Sequence, residues 1–209
     1  STPLYSSAAS DVYKRQRGLF WAVSRHRVQI TRLPMSGETI RVETWAMPAT
    51  AAAYPRSVVA YDAKGKECFR SITLWVIMTL DTRKMLSPSK SGIQVAGITR
   101  GLELSSPKGL VPRNMVNSSP RRVCYTDIDR NGHMNNARYM EWVDDLFPSA
   151  FHREHRLKEL LVCYLAESRE GQTLDLRYDV QENACVQVDA YRQDQGEDHR
   201  VFSARMQFE

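Results

Sequence analysis

Two hydrophobic periodicities run along this chain. Tyr139, Trp142, Val143, Leu146 and Phe147 recur at spacings of three and four, while Arg138, Glu141 and Asp145 fall on another face. That pattern predicts an amphipathic helix from about Asn136 to Phe147. Asn135 or Asn136 can cap its start by accepting a hydrogen bond from a free backbone N–H, and Pro148 stops it. Elsewhere, short apolar or alternating runs bounded by turn residues predict strands. They cover Val28–Leu33, a segment opening at Gly37, Ser57–Tyr61, Cys68–Leu80, Arg122–Tyr125, Leu160–Ala166, a segment opening at Gly171, Ala184–Arg192 and Arg200–Phe208. Asp62-Ala63-Lys64-Gly65 and the polar stretch around Gly196 carry turn chemistry.

The pattern repeats weakly. Gly37-Glu38-Thr39-Ile40-Arg41-Val42 parallels Gly171-Gln172-Thr173-Leu174-Asp175-Leu176, and each copy follows an apolar segment and precedes further strands. Only the second copy has an opening strand and a helix ahead of it. Between the copies, Asp81–Pro120 holds seven Ser and four each of Pro and Gly, which disfavour regular structure. Ile93, Val95, Ile98, Leu102 and Leu104 predict that parts of this linker pack. The expected division is 17–80, linker 81–120, and 121–209.

Residues 1–16 read differently. Asp11-Val12-Tyr13-Lys14-Arg15-Gln16 resembles the translation of an adaptor used in sequencing libraries, so Ser1–Gln16 is set aside as a non-native leader on a gene cut at its 5′ end. On that reading the first sheet exposes an apolar face, and the chain is expected to aggregate.

Composition narrows the class. With 209 residues, 42% hydrophobic and 25% charged, the chain is an ordinary globular protein able to bury a core. No apolar run reaches a membrane span, and Ile72–Leu80 suits a buried strand. Cys68, Cys124, Cys163 and Cys185 form no metal spacing and read as free thiols of a reducing cytoplasm. The net charge of +5 is a modest excess without the aromatic and basic stripe of a nucleic-acid binder.

The chemistry gathers in Thr126-Asp127-Ile128-Asp129-Arg130-Asn131-Gly132-His133-Met134-Asn135-Asn136, just ahead of the helix. Unpaired N–H groups and the positive helix end there can polarise a carbonyl oxygen. Singly, each residue has a plainer explanation. Asp127 and Asp129 can cap turns, Asn131-Gly132 is a turn dipeptide, and His133 alone is more often a structural histidine. His152-Arg153-Glu154-His155 reads as solvated surface, and Tyr139, Trp142 and Phe147 read as core.

Asp129-x-Asn131-x-His133-x-Asn135-Asn136 resembles the active-site segment of hotdog-fold thioesterases, most closely the acyl-ACP thioesterase family. That family carries a further carboxylate 34 residues after the His, and Glu167 stands there in this chain. Val28–Pro34 and Leu74-Trp75-Val76 resemble strands of the family's first half. The resemblance implies an α+β tandem (double) hotdog, antiparallel sheets each wrapped around a long helix, with the first hotdog lacking its opening strand and helix. Glu167 precedes Gly171 by four residues, while the equivalent position before Gly37 is the apolar Leu33. One site per chain is expected.

The roles implied by the resemblance carry over residue by residue. Asp129 orients its neighbours or serves as nucleophile or base. Asn131 fixes the thioester or the attacking water, His133 bonds the carbonyl or serves the departing thiol, and Glu167 is the preferred base for water. Asn135, Asn136 and Ser168 are assigned to the substrate side, with Asn135 as the helix cap first. The family usually has Cys where this chain has Ser168, and serine is a far weaker nucleophile, so a scheme with that residue as nucleophile is in doubt; water attack assisted by Glu167 and attack by Asp129 both survive the substitution. The implied partner is an acyl carrier protein with its acyl group on phosphopantetheine; Arg121, Arg122, Arg130 and Arg138 can meet its acidic helix or the phosphate, or equally be solvated surface. No metal, cofactor, nucleic acid or membrane is expected, and pairing into a homodimer stays open. The alternatives are an acyl-CoA thioesterase and a non-catalytic acyl-binding hotdog protein.

Overall fold

The computed structural model describes residues 18–100, 104–181 and 183–209. The proposed leader, Ser1–Gln16, lies outside the described residues. Contacts divide the chain into two units, residues 1–24 with 34–107 and residues 25–33 with 108–209.

In the first unit the spatial order is β2 (Arg41–Ala46), β3 (Tyr54–Tyr61), β4 (Glu67–Thr79) and the first half of β1 (Leu19–Ile30). β2 with β3 and β3 with β4 pair antiparallel. β-Branched and aromatic side chains explain β4, which buries Ile72, Leu74, Val76 and Ile77. The Asp62 carboxylate makes the β3–β4 turn by accepting from the N–H groups of Lys64 at 2.9 Å and Lys66 at 2.8 Å. A two-residue β5 (Met85–Leu86) pairs with β4, and the only helix among the described residues of this unit is the single turn α1 (Pro88–Ser91). Within the predicted linker, Ile93 and Val95 pack against Leu19, Tyr54 and Ile77, and the Tyr54 hydroxyl donates to the Ile93 carbonyl at 2.9 Å. Ile98, expected to pack, is instead 55% exposed, and Leu102 lies outside the described residues.

The second unit orders the rest of β1, β7 (Leu157–Tyr164), β10 (Glu197–Phe208), β9 (Cys185–Asp194), β8 (Thr173–Val180) and β6 (Asn117–Arg122), with antiparallel pairing throughout. Alternation sorts its two faces. Val162, Leu174, Leu176, Val186, Val188, Phe202, Ala204 and Met206 bury against Tyr139, Trp142 and Val143 of helix α2 (Asn136–Asp144). Each Val, Leu, Phe and Met among them contributes about 1.5–3 kcal/mol of apolar transfer. Gln195 and Gly196 both have positive φ, at 54° and 86°, the turn whose twist suits a tight hairpin between β9 and β10.

Three boundaries differ most from the sequence pattern, and the first is β1, expected at Val28–Leu33 and found at Leu19–Ile30. The strand expected at Arg122–Tyr125 lies instead at Asn117–Arg122, where it pairs with β8, and a 3-10 turn covers Tyr125–Asp127. β6 is the last strand in the order, so Pro120 can sit in it without breaking an interior ladder. α2 ends at Asp144 rather than Phe147. Leu146 and Phe147 still reach the core from the turn, before α3 (Ser149–Glu154).

The opposite sheet face is unusually polar and closed. Asp189 and Ser203 are 0% exposed, and Ser203 Oγ donates to the Asp189 carboxylate with Arg200 Nη1 at 3.4 Å. Linker residues cover this face. Arg200 donates to the Leu110 carbonyl at 2.9 Å and Gln187 to the Val111 carbonyl at 3.0 Å, while Leu110 packs on Leu161 and Cys163.

His26 stands opposite Val162 on β1, and burial pushes its imidazole below the ordinary 6.5. A depressed histidine pKa means the unfolded chain binds the proton more readily, so this contribution is present above pH ~6.5 and lost as pH falls below it. Urea midpoints measured from pH 7.5 to 5 should therefore fall, and His26→Gln should flatten that slope. An unaltered slope would refute it.

Candidate active site

The helix-preceding segment is a small pinched loop. Ile128 and Met134 form a β-bridge, the Asp129 N–H donates to the His133 carbonyl at 2.9 Å, and the Gly132 N–H donates to the Asp129 carbonyl at 3.0 Å. Gly132 has φ of 77°, a left-handed conformation that glycine adopts without strain. The Asp129 carboxylate accepts from the Asn131 N–H at 2.7 Å and from Asn131 Nδ2 at 3.2 Å. Asp129 and Asn131 therefore hold each other. Upstream, the Asp127 carboxylate accepts from the Cys124 N–H at 2.9 Å, the turn-capping role open to it from sequence.

Asn135 caps α2: its side-chain oxygen accepts from the Ala137 N–H at 2.9 Å. Asn136 is exposed in the first helical turn, and its carbonyl accepts from the Tyr164 hydroxyl at 3.2 Å. The 34-residue spacing becomes a contact. His133 Nε2 lies 3.0 Å from Glu167 Oε2, with the carboxyl partly exposed and the imidazole more enclosed. The first turn of α2, with its positive end, begins three residues after His133.

Ser168 is placed otherwise than on an open substrate wall. It is 1% exposed, its hydroxyl accepts from the Tyr139 hydroxyl at 2.8 Å, and its carbonyl accepts from the Met134 N–H at 2.8 Å. Tyr139 was legible as core, and it does stack on Phe202, but the role of its hydroxyl had no sequence signal. Burial pushes the Tyr139 phenol up, against the pull of the Ser168 bond and the Arg192 charge, and pushes Tyr164 up to about 12. Both are neutral donors. Arg192, not singled out by the sequence pattern, donates from Nη1 to the Glu167 carbonyl at 2.8 Å.

Of the expected arginines, Arg121 pairs with Asp145 at 2.9 Å and lies over the Trp142 ring, and Arg138 pairs with Glu141. Among the described residues, no group of three or more His, Cys, Asp or Glu could hold a metal ion, and no helix is long and apolar enough to cross a membrane.

Family models match both halves of the chain, and the loop, the cap and the distant carboxylate fall within the second match. Residues 5–90 match the model of the acyl-ACP thioesterase N-terminal domain, and residues 112–209 match that of the acyl-ACP thioesterase C-terminal domain. The chain belongs to the acyl-ACP thioesterase family. The N-terminal match begins inside the stretch set aside as a leader. Among its relatives, the chloroplastic palmitoyl-acyl carrier protein thioesterase of Gossypium hirsutum is 26% identical over 164 residues, 73% of this chain and 39% of that protein. The chloroplastic oleoyl-acyl carrier protein thioesterase 1 of Arabidopsis thaliana is 24% identical over 183 residues, 80% of this chain and 50% of that protein. The chain thus spans half or less of the length of these curated relatives.

Solved structures of this acyl-ACP thioesterase family align over most of the chain. An acyl-ACP thioesterase from Bacteroides thetaiotaomicron superposes with a TM-score of 0.75 at 25% identity, covering 95% of this chain and 80% of that one. The 12:0-ACP thioesterase from Umbellularia californica gives a TM-score of 0.78 at 21% identity over 95% of this chain and 78% of its own, a likeness of fold. The α+β double-hotdog class expected from the resemblance is the fold of this family member.

Proposed function

We propose that this chain hydrolyses the thioester of an acyl group carried on acyl carrier protein, releasing free fatty acid. The observation that carries this reading is the His133–Glu167 pair, 3.0 Å apart, at the entrance to α2 in a member of the acyl-ACP thioesterase family. Glu167 takes a proton from water as the water oxygen attacks the thioester carbon. The Asn136 N–H and the positive helix end hold the charge that develops on the carbonyl oxygen, worth ~10²–10³ in rate for one such donor. The C–S bond then breaks, and the proton held on Glu167 returns to the thiolate by way of His133. Asp129 and Asn131 keep the loop that carries His133 in shape. Ser168, buried under Tyr139, has a positioning role in this scheme.

Carrier protein reaches the site over Arg122, Arg130 and Arg169, exposed residues on the segments that frame the Glu167–His133 pair. The four cysteines are free thiols, which suits a reducing compartment such as the cytoplasm. Fatty acid release from matched panels of acyl-ACPs and acyl-CoAs tests the reading. Preferential turnover of acyl-ACP is expected. Equal or better turnover of acyl-CoA would reassign the substrate, and tight acyl-ACP binding without release would make the chain a binding module. Light scattering on the same sample decides between monomer and homodimer.

A further inference from the structure

Glu167 lies past the end of β7 in the connection to β8, outside any regular element. The connection is nevertheless fastened at both peptide units that matter. Arg192, on β9, donates to the Glu167 carbonyl at 2.8 Å. Its guanidinium is itself braced from behind, with Nε and Nη2 donating to the Asp194 carboxylate at 2.8 Å and 2.6 Å. One residue on, Ser168 is held from α2 by the Tyr139 hydroxyl and from the His133 loop by the Met134 N–H, each at 2.8 Å. The Arg192 charge also acts on the Tyr139 phenol, so the two anchors share one polar cluster behind the pair.

We infer that Arg192 and Tyr139 are positioning residues that clamp the Glu167–Ser168 segment and so hold the Glu167 carboxylate on His133. The inference rests on the reading of Glu167 as the base. Neither residue touches the acyl group in this scheme. They hold the chain at, and just after, the one side chain whose aim decides the rate. A guanidinium with one face on Asp194 and one N–H on Glu167 transmits the rigidity of β9 to an irregular connection. The Tyr139–Ser168 bond ties the same segment to the helix whose first turn faces the substrate carbonyl. This assigns the serine a job that needs its oxygen as an acceptor, in the place where the family has Cys.

Four variants in acyl-ACP hydrolysis test the clamp. Arg192→Gln should lower kcat about 10- to 100-fold with KM little changed, as expected for a reacting group displaced by up to ~1 Å. Arg192→Lys should recover part of that loss. Tyr139→Phe and Ser168→Ala should each lower kcat by a similar, smaller factor, and the double variant should be no worse than either, since both remove one bond. Hydrogen exchange in the peptide covering Leu165–Gln172 should quicken in Arg192→Gln and Tyr139→Phe. If Arg192→Gln fails to fold, Asp194→Asn loosens the same guanidinium from the surface side.

Wild-type kcat in Arg192→Gln, or unchanged exchange in Leu165–Gln172, would overturn the clamp. Inactivity of Ser168→Ala beside near-normal Tyr139→Phe would also overturn it, by making Ser168 a reacting group. A wild-type chain that hydrolyses no thioester would instead defeat the functional reading, leaving the exchange measurement to judge the clamp alone.

Discussion

Glu167→Gln is expected to lower kcat for acyl-ACP hydrolysis by about 10²–10⁴-fold, the range typical of a lost general base, while leaving the unfolding midpoint unchanged. The structural grounds for both halves are separate. Glutamine keeps the size of the side chain and retains an oxygen for the His133 contact, but it cannot accept a proton from water. Stability should hold because the Glu167 carboxyl is partly exposed, with side-chain accessibility of 36%, and the Arg192 bond goes to its backbone carbonyl. The competing assignment gives the base or nucleophile role to Asp129, whose carboxylate already accepts two bonds from Asn131. Activity within about tenfold of wild type in Glu167→Gln, together with an inactive Asp129→Asn, would move the role to Asp129.

Asp189→Ala should have the largest effect on stability, about 3 kcal/mol, the lower end of the range for removing one partner of a buried ion pair. Asp189 is fully buried, and Arg200 retains some exposure, which is why the lower end applies. Without the carboxylate, the Ser203 hydroxyl loses its acceptor and Arg200 loses its counter-charge at the sheet face covered by the linker. For a chain of this size the melting midpoint should drop by roughly 10 °C. Limited proteolysis should then cut more readily near Leu110 and Val111, whose carbonyls hold the linker to Arg200 and Gln187. A midpoint within about 2 °C of wild type would show that this network adds little to the fold.

Sequence pattern located the features whose causes are local. The Asn135 cap, the Asn131-Gly132 turn, the start of α2 and the strands rich in β-branched residues all depend on residues within a few positions of one another. The position of Glu167 was legible only through the spacing of a family pattern, since nothing near Glu167 in sequence distinguishes it from a strand-end charge. The features that escaped depend on partners distant in sequence. Ser118-Ser119-Pro120 reads as linker, yet pairing with β8 makes it strand, because an edge tolerates proline. The α2 boundary was overextended because Leu146 and Phe147 serve the core from a turn as well as they would from a helix. Arg192 and the Tyr139 hydroxyl carry no local mark at all, since their meaning comes from the Glu167 carbonyl and the Ser168 hydroxyl that folding brings beside them.

The pinched loop between Ile128 and Met134 makes the two halves of the site unequal in the order in which a folding chain can acquire them. Its own bonds join residues close in sequence, so closing it loses little chain entropy. The carboxylate opposite arrives only when β7 has found its registers with β1 and β10, contacts of long sequence separation that form slowly. Completion of the proposed site is thus tied to the long-range part of assembly, and a partly folded chain that displays the histidine loop would still lack the carboxylate opposite it.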